Sequence, residues 1–181
     1  MPICELPPPE MPCEAALFTY HAWNAAEARF AVSPAALSSD QRRTLDLAVA
    51  QSLTIEAAIL ASPEARDVRV SRTEATDAAT GWLAEHPACP LGVADLAEPL
   101  RRELTVQRAL ARVAATASPV SDAEVSAFLH RDPDRFRTSA EEAPARTFDR
   151  IRAYLMGRRR RTTQAVWIRS LTVPEAVAAA A

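Results

Sequence analysis

The fold class is decided by the stretch Ser39-Asp-Gln-Arg-Arg-Thr-Leu-Asp-Leu-Ala-Val-Ala-Gln-Ser-Leu-Thr-Ile-Glu-Ala-Ala-Ile-Leu-Ala61. Its apolar residues keep to one face at the three- and four-residue steps of an amphipathic helix, and they are Leu45, Val49, Leu53, Ile59 and Leu60. We expect Ser39 or Asp40 to cap this helix at its start, and Ser62-Pro63 to end it.

The segments on both sides of this stretch also have helical patterns. Glycine occurs only at positions 81, 92 and 157, and scarce glycine among abundant Ala, Leu, Glu and Arg favours helices over hairpins. Ser71-Arg-Thr-Glu74 and Ser121-Asp-Ala-Glu124 are capping boxes, which mark two helix starts. The helix near residues 15–32 is apolar on more than one side, which suits a bundle. The sequence therefore predicts an all-α fold of five to seven helices without a sheet.

Composition excludes several kinds of chemistry. All 21 basic residues among the 181 are arginine, so there is no catalytic or Schiff-base lysine. Cys4, Cys13 and Cys89 are too few for a disulfide framework, and they form no C-x-x-C pair. His86 and Cys89 have the spacing of half a metal site, but no second ligand pair accompanies them, so a loop turn is the better interpretation. We expect no metal and no cofactor.

The sequence also bears on location. The N-terminus has five prolines in residues 2–12, no basic region and no long apolar run, which argues against a secretory signal. No stretch approaches the roughly 18 to 20 apolar residues that are needed to span a bilayer. We therefore expect a cytoplasmic protein without a membrane partner.

A resemblance to a known family rests on several blocks in order. The first three are Tyr20-His-Ala-Trp-Asn-Ala-Ala-Glu-Ala-Arg-Phe30, Ser33-Pro-Ala-Ala-Leu37 and Ile55-Glu-Ala-Ala-Ile-Leu-Ala-Ser-Pro-Glu-Ala-Arg-Asp-Val-Arg-Val70. They resemble the N-terminal part of NifM-type proteins, which are nitrogen-fixation accessory factors of the SurA/PrsA group of parvulin-type prolyl isomerases. Residues 100–113, 119–136 and 146–171 continue the resemblance, so it covers most of 15–171. The block 59–66 is its most distinctive part.

The chain departs from this family between Phe136 and Arg146. A parvulin domain would begin there with a histidine-bearing strand, but the segment is only about ten residues long and reads Thr138-Ser-Ala-Glu-Glu-Ala143. None of His21, His86 and His130 matches a catalytic position of the family. The resemblance thus implies a SurA/NifM-like helical chaperone domain, completed by a long C-terminal helix, without isomerase activity.

The composition and the resemblance together predict a domain organisation. We expect a flexible tail over residues 1–14 and a single helical domain over 15–171. In that domain a linker at 138–144 replaces the parvulin domain. Residues 172–181 are expected to form a frayed tail.

The function implied by the resemblance is that of a chaperone or maturation factor for a client such as nitrogenase iron protein. Aromatic candidates for client contact are Trp82, Phe128, Phe136 and Trp167, for each of which core packing is the alternative. A different hypothesis is an adaptor or regulator that binds a separate isomerase or nucleic acid. Its contacts would be Arg158, Arg159, Arg160 and Arg161. Four consecutive helical positions point around the axis, and the net charge of −2 disfavours nucleic acid.

Overall fold

The computed structural model describes residues 13–133, 135–136 and 144–172, which form seven α-helices and one short 3₁₀ helix and contain no strand. In chain order they are α1 (Cys13–Phe30), the 3₁₀ helix (Pro34–Ala36), α2 (Ser39–Ala61), α3 (Pro63–Arg66), α4 (Arg72–Glu85), α5 (Val93–Ala115), α6 (Asp122–Arg131) and α7 (Pro144–Thr172). This architecture confirms the all-α prediction.

Two helix starts differ from the sequence prediction. The cap of α2 is Ser38 and not Ser39 or Asp40. The Ser38 hydroxyl accepts a hydrogen bond from the backbone N–H of Gln41 at 3.3 Å, and the Gln41 side chain accepts one from the Ser38 N–H at 2.9 Å. The short helix α3 was not predicted. Ser62 ends α2 and its hydroxyl also caps α3 by accepting from the Ala65 N–H at 3.3 Å.

The ends of the predicted segments need small corrections. Helix α1 already begins at Cys13, within the predicted tail of 1–14. Pro144, assigned to the linker of 138–144, is the first residue of α7. The rest of that linker and residues 173–181 lie outside the described residues.

Contacts between Cα atoms group the chain into two compact units, residues 1–109 (unit 1) and 110–181 (unit 2). The sequence predicted a single domain over 15–171, whereas this grouping places a boundary within α5. Each unit is described by itself below.

Unit 1 has two apolar clusters that both include α1. Ala16 and Tyr20 belong to one cluster, with buried residues of α4, α5 and the segment between them. Ala22 and Ala26 belong to the other, with Leu37 and buried residues of α2. The prediction that α1 is apolar on more than one side is therefore confirmed.

Unit 2 is built on the pair of helices α6 and α7. Val125 and Phe128 of α6 pack with Ile151 of α7, and all three are at most 4% exposed. Phe136 and Tyr154 cover this cluster, with ring centroids 5.5 Å apart.

Both predicted capping boxes form. In the first, the backbone N–H of Ser71 donates to the Glu74 carboxylate at 2.8 Å, and Arg108 of α5 donates to the same carboxylate. These donors lower the pKa of Glu74 to about 2. The second box repeats the arrangement with Ser121 and Glu124, which also has a lowered pKa.

The end of α1 has a strained backbone. Ala31 follows the helix with φ of 54°, and its N–H donates to the Glu27 carbonyl at 2.9 Å. This is the left-handed conformation that glycine favours after a helix and that an L-residue with a Cβ adopts at a cost.

We therefore expect Ala31→Gly to raise the free energy of unfolding by about 1 kcal/mol, because it relieves this strain. Ala28→Gly, at an exposed position inside the same helix, should instead lower it by about 1 kcal/mol. Urea denaturation followed by circular dichroism measures both changes. Equal loss of stability in the two variants would contradict the assignment of strain to Ala31.

Candidate protein-binding site

A cleft of about 560 Å³ opens in unit 1 beside α2, α3 and α5. We name it the arginine cleft, since four arginines line it and its other lining residues include only one charged side chain. The lining residues are Ala57, Leu60, Ala65, Arg66, Val68, Arg69, Glu98, Arg101, Arg102 and Thr105.

The four arginines differ in how far their charge is already neutralised. Arg101 donates two hydrogen bonds of 2.7 Å to the Glu98 carboxylate, and this bidentate pair raises the pKa of Arg101. Arg69 donates to the carbonyl oxygens of Arg66 and Val68, at 2.8 and 3.3 Å. Arg66 is exposed, and it forms no ion pair with another of the described residues.

Arg102 is hydrogen-bonded to Glu56, which is 6% exposed and is the one buried charged residue among those that the structure describes. Arg102 Nε donates to Glu56 Oε1, and His21 Nε2 lies 2.8 Å from Glu56 Oε2. Burial raises the pKa of Glu56, but the hydrogen bonds and charges of His21 and Arg102 outweigh burial and leave the pKa below its ordinary value. One carboxylate therefore joins α1, α2 and α5 and fixes a guanidinium in the cleft.

An exposed strip of α2 leads into the arginine cleft. Its residues follow one another at alternating steps of three and four, the spacing at which one helix packs along another. We call this strip the α2 face, and its residues, all exposed, are Leu47, Ala50, Thr54, Ala57 and Ala61. Leu47 is 69% exposed, and Ala57 belongs to both the α2 face and the cleft.

Helix α2 has a further property that the sequence analysis missed. An 18-residue window within Ser39–Ala61 has a mean hydropathy of 1.4 and is 28% buried, which makes α2 the one helix among those described that could cross a membrane by length and composition. The expectation that no stretch came near this limit was therefore wrong. Core helices meet the same criterion, and Leu45, Val49 and Ile59 of α2 are buried in the chain.

The four aromatic candidates are divided between the two units. Trp82 lies in unit 1, where its ring stacks on His86 at a centroid distance of 4.0 Å and its Nε1 donates to Asn24 Oδ1 at 3.1 Å. Phe128 and Phe136 come together in the core of unit 2, with centroids 5.8 Å apart. Trp167 is half-buried on α7.

The four consecutive arginines of α7 also divide into two kinds. Arg158, Arg160 and Arg161 are exposed. Arg159 instead donates to the carbonyl oxygens of Ser118 and Pro119, at 3.1 and 2.7 Å, and to the Glu124 carboxylate. Arg159 thus attaches α7 to the start of α6.

His86 and Cys89 do not gather a metal site within the described residues, which contain no group of three or more His, Cys, Asp and Glu placed to hold an ion. His86 Nδ1 lies 2.8 Å from the Trp82 carbonyl, and Nε2 lies 2.8 Å from a Glu27 carboxylate oxygen. Burial lowers the pKa of His86, but the hydrogen bonds to Glu27 and Trp82 outweigh burial and raise it.

The arginine cleft was not predicted from sequence. Arg66 and Arg69 stand in the block 55–70, and Arg101 and Arg102 are adjacent, so the residues were visible as two basic pairs. Their meeting depends on how α3 and α5 pack, which no local pattern encodes. The three- and four-residue spacing of the α2 face could have been found, but only the structure distinguishes it from the buried side of the helix.

No family model, curated protein or solved structure matches the chain.

We expect Glu56→Gln to lower the free energy of unfolding by about 3 kcal/mol, because removing one partner of a buried ion pair leaves the others uncompensated. Since the folded pKa of Glu56 is lowered, its contribution exists above the unfolded pKa and is lost as the pH falls through the folded value. The difference between wild type and variant should therefore shrink in acid. Denaturant titrations at several pH values measure it.

The matched control is Glu98→Gln, which removes the other carboxylate that pairs with an arginine of the cleft. The Glu98 side chain is 39% exposed, and an exposed pair contributes only about 0–1 kcal/mol. A cost for Glu56→Gln as small as that of the control would show that the buried network does not stabilise unit 1.

Proposed function

We propose that this chain is a non-catalytic protein-binding factor, a chaperone or maturation factor that holds a client protein against the α2 face. The observation that carries the proposal is the exposure of this strip: Leu47 and small residues at helix-packing spacing stand uncovered on an apolar helix. An apolar strip of this kind next to a polar cleft is typical of an interaction surface.

The resemblance to NifM-type proteins supports the same proposal. The block 55–70, which includes the most distinctive part of the resemblance, supplies six of the ten residues that line the arginine cleft: Ala57, Leu60, Ala65, Arg66, Val68 and Arg69. Nitrogenase iron protein is the client that the resemblance suggests testing first. Apolar contact and polar groups at the cleft would hold such a client without covalent chemistry.

The alternative is an adaptor or regulator that binds a separate isomerase or nucleic acid through α7. The exposure of Arg158, Arg160 and Arg161 favours it, whereas Arg159 is engaged within unit 2. Binding of duplex DNA by phosphate contacts would weaken steeply with salt, with a slope of about −0.9 per neutralised phosphate on a double logarithmic plot.

We expect the purified chain to suppress aggregation of unfolded nitrogenase iron protein, measured by light scattering. The double variant Leu47→Glu/Ala50→Glu should need about tenfold more protein for the same suppression, because it places charge where a client would bury apolar surface. Glutamate favours helices, and both positions are exposed, so α2 should remain folded.

The matched control is Ala127→Glu, the same kind of change at an exposed position of α6. This control variant should suppress aggregation to the same extent as the wild-type chain. A wild-type chain that fails to suppress aggregation, or a double variant that works as well as the control, would refute the proposed function.

We also expect no acceleration of cis–trans isomerisation of an X-Pro peptide. The reason is the short segment between Phe136 and Arg146, which leaves no sequence for a parvulin pocket. A chromogenic proline peptide assay, run beside an active parvulin as positive control, measures the rate. Saturable catalysis that co-purifies with the chain would contradict the non-catalytic assignment.

A further inference from the structure

The arginine cleft has an excess of positive charge in a chain that is weakly acidic as a whole. Its lining contains four guanidinium groups and one carboxylate, and Glu56, which pairs with Arg102, adds a second carboxylate; two guanidinium charges therefore remain in excess, while the formal net charge of the chain is −2. Positive charge at the cleft is therefore a local feature, because the composition of the chain gives no general attraction for anions.

Two of these guanidinium groups are placed to meet a partner. Arg66 and Arg69 are exposed, at the end of α3 and in the segment after it, and neither forms an ion pair with another of the described residues. Arg102 is already oriented by Glu56, so it needs no reordering when a partner arrives. Arginine presents a planar set of donors that matches the two oxygens of a carboxylate.

The remaining lining of the cleft favours a protein segment over nucleic acid. Ala57, Leu60, Ala65 and Val68 provide apolar contacts, and none of the ten described lining residues is aromatic, so no ring is present on which a base could stack. The α2 face extends from Leu47 to Ala61, over about 21 Å at a rise of about 1.5 Å per residue. That length and spacing fit a second helix laid along α2.

We infer that the client segment bound here is an acidic amphipathic helix. Its apolar strip lies on the α2 face, and carboxylates at one of its ends accept hydrogen bonds from Arg66 and Arg69 in the arginine cleft. The inference rests on the proposed function and adds the chemical class of the partner.

The test uses three synthetic helical peptides of roughly 20 residues that share one apolar strip at the spacing of the α2 face. One carries three glutamates at its N-terminal end, one carries them at its C-terminal end, and one has glutamines at both sites. Fluorescence anisotropy measures their binding to the full chain at low salt. We expect one acidic peptide to bind about tenfold more tightly than the glutamine peptide.

The double variant Arg66→Gln/Arg69→Gln should abolish this preference while leaving the affinity for the glutamine peptide within about twofold of wild type. The matched control Arg160→Gln/Arg161→Gln removes the same charge from exposed positions of α7 and should retain the preference. Circular dichroism checks that each variant is folded. If the double variant does not fold, the single variant Arg66→Gln replaces it, and it should reduce the preference about threefold.

The outcomes separate the inference from the proposed function. Equal binding of all three peptides, with aggregation of the client still suppressed, would overturn the inference and leave the proposed function standing. Binding of no peptide together with no suppression of aggregation would overturn both. Salt-sensitive binding of a random DNA duplex that requires Arg66 and Arg69, without preference among the peptides, would replace the acidic helix by nucleic acid.

Discussion

The buried carboxylate of Glu56 is the constraint on which the organisation of unit 1 depends. It receives His21 from α1 and Arg102 from α5, so three helices that are distant in sequence share one charged centre. A buried charge of this kind is stable only while its partners remain, because its desolvation cost is offset by their hydrogen bonds and charges. The same carboxylate directs the guanidinium of Arg102 into the arginine cleft, so the stability of the unit and the charge of its surface depend on one residue.

A second interaction attaches a long helix to the N-terminus of the helix before it, and it occurs once in each unit. The capping-box carboxylates Glu74 and Glu124 each accept from the backbone N–H of the capping serine and also from an arginine of the next long helix, Arg108 or Arg159. Each arginine also donates to the carbonyl oxygen two residues before that serine. In each box one carboxylate oxygen, Oε2, accepts from the N–H of the capping serine, and the other, Oε1, accepts from the arginine of the neighbouring helix.

The interactions of these two capping boxes show which features could be predicted from the sequence and which could not. Both capping boxes were predicted because a serine and a glutamate three residues later are local in sequence. The partners Arg108 and Arg159 stand 34 and 35 residues further on, among 21 arginines that local patterns cannot tell apart. The long helices were predicted for the same local reason, whereas the four-residue helix α3 was not. The arginine cleft and the pairing of Glu56 were not, because they arise only when separate helices pack.

Helix α2 buries the apolar residues Leu45, Val49 and Ile59, but single positions on both of its sides depart from the usual rule for a surface helix. It buries the charged Glu56 at 6% exposure while Leu47 stands at 69% and Ile55 at 37%. Stability alone would favour the opposite arrangement, because burying apolar area stabilises the folded state and burying a charge destabilises it. The proposed function would account for both departures: Leu47 on the α2 face would be left exposed for a client, and the buried Glu56 would be retained because it orients Arg102 in the arginine cleft. The Glu56→Gln and Leu47→Glu/Ala50→Glu variants act on the two sides of one helix, so the first should affect mainly stability and the second mainly binding.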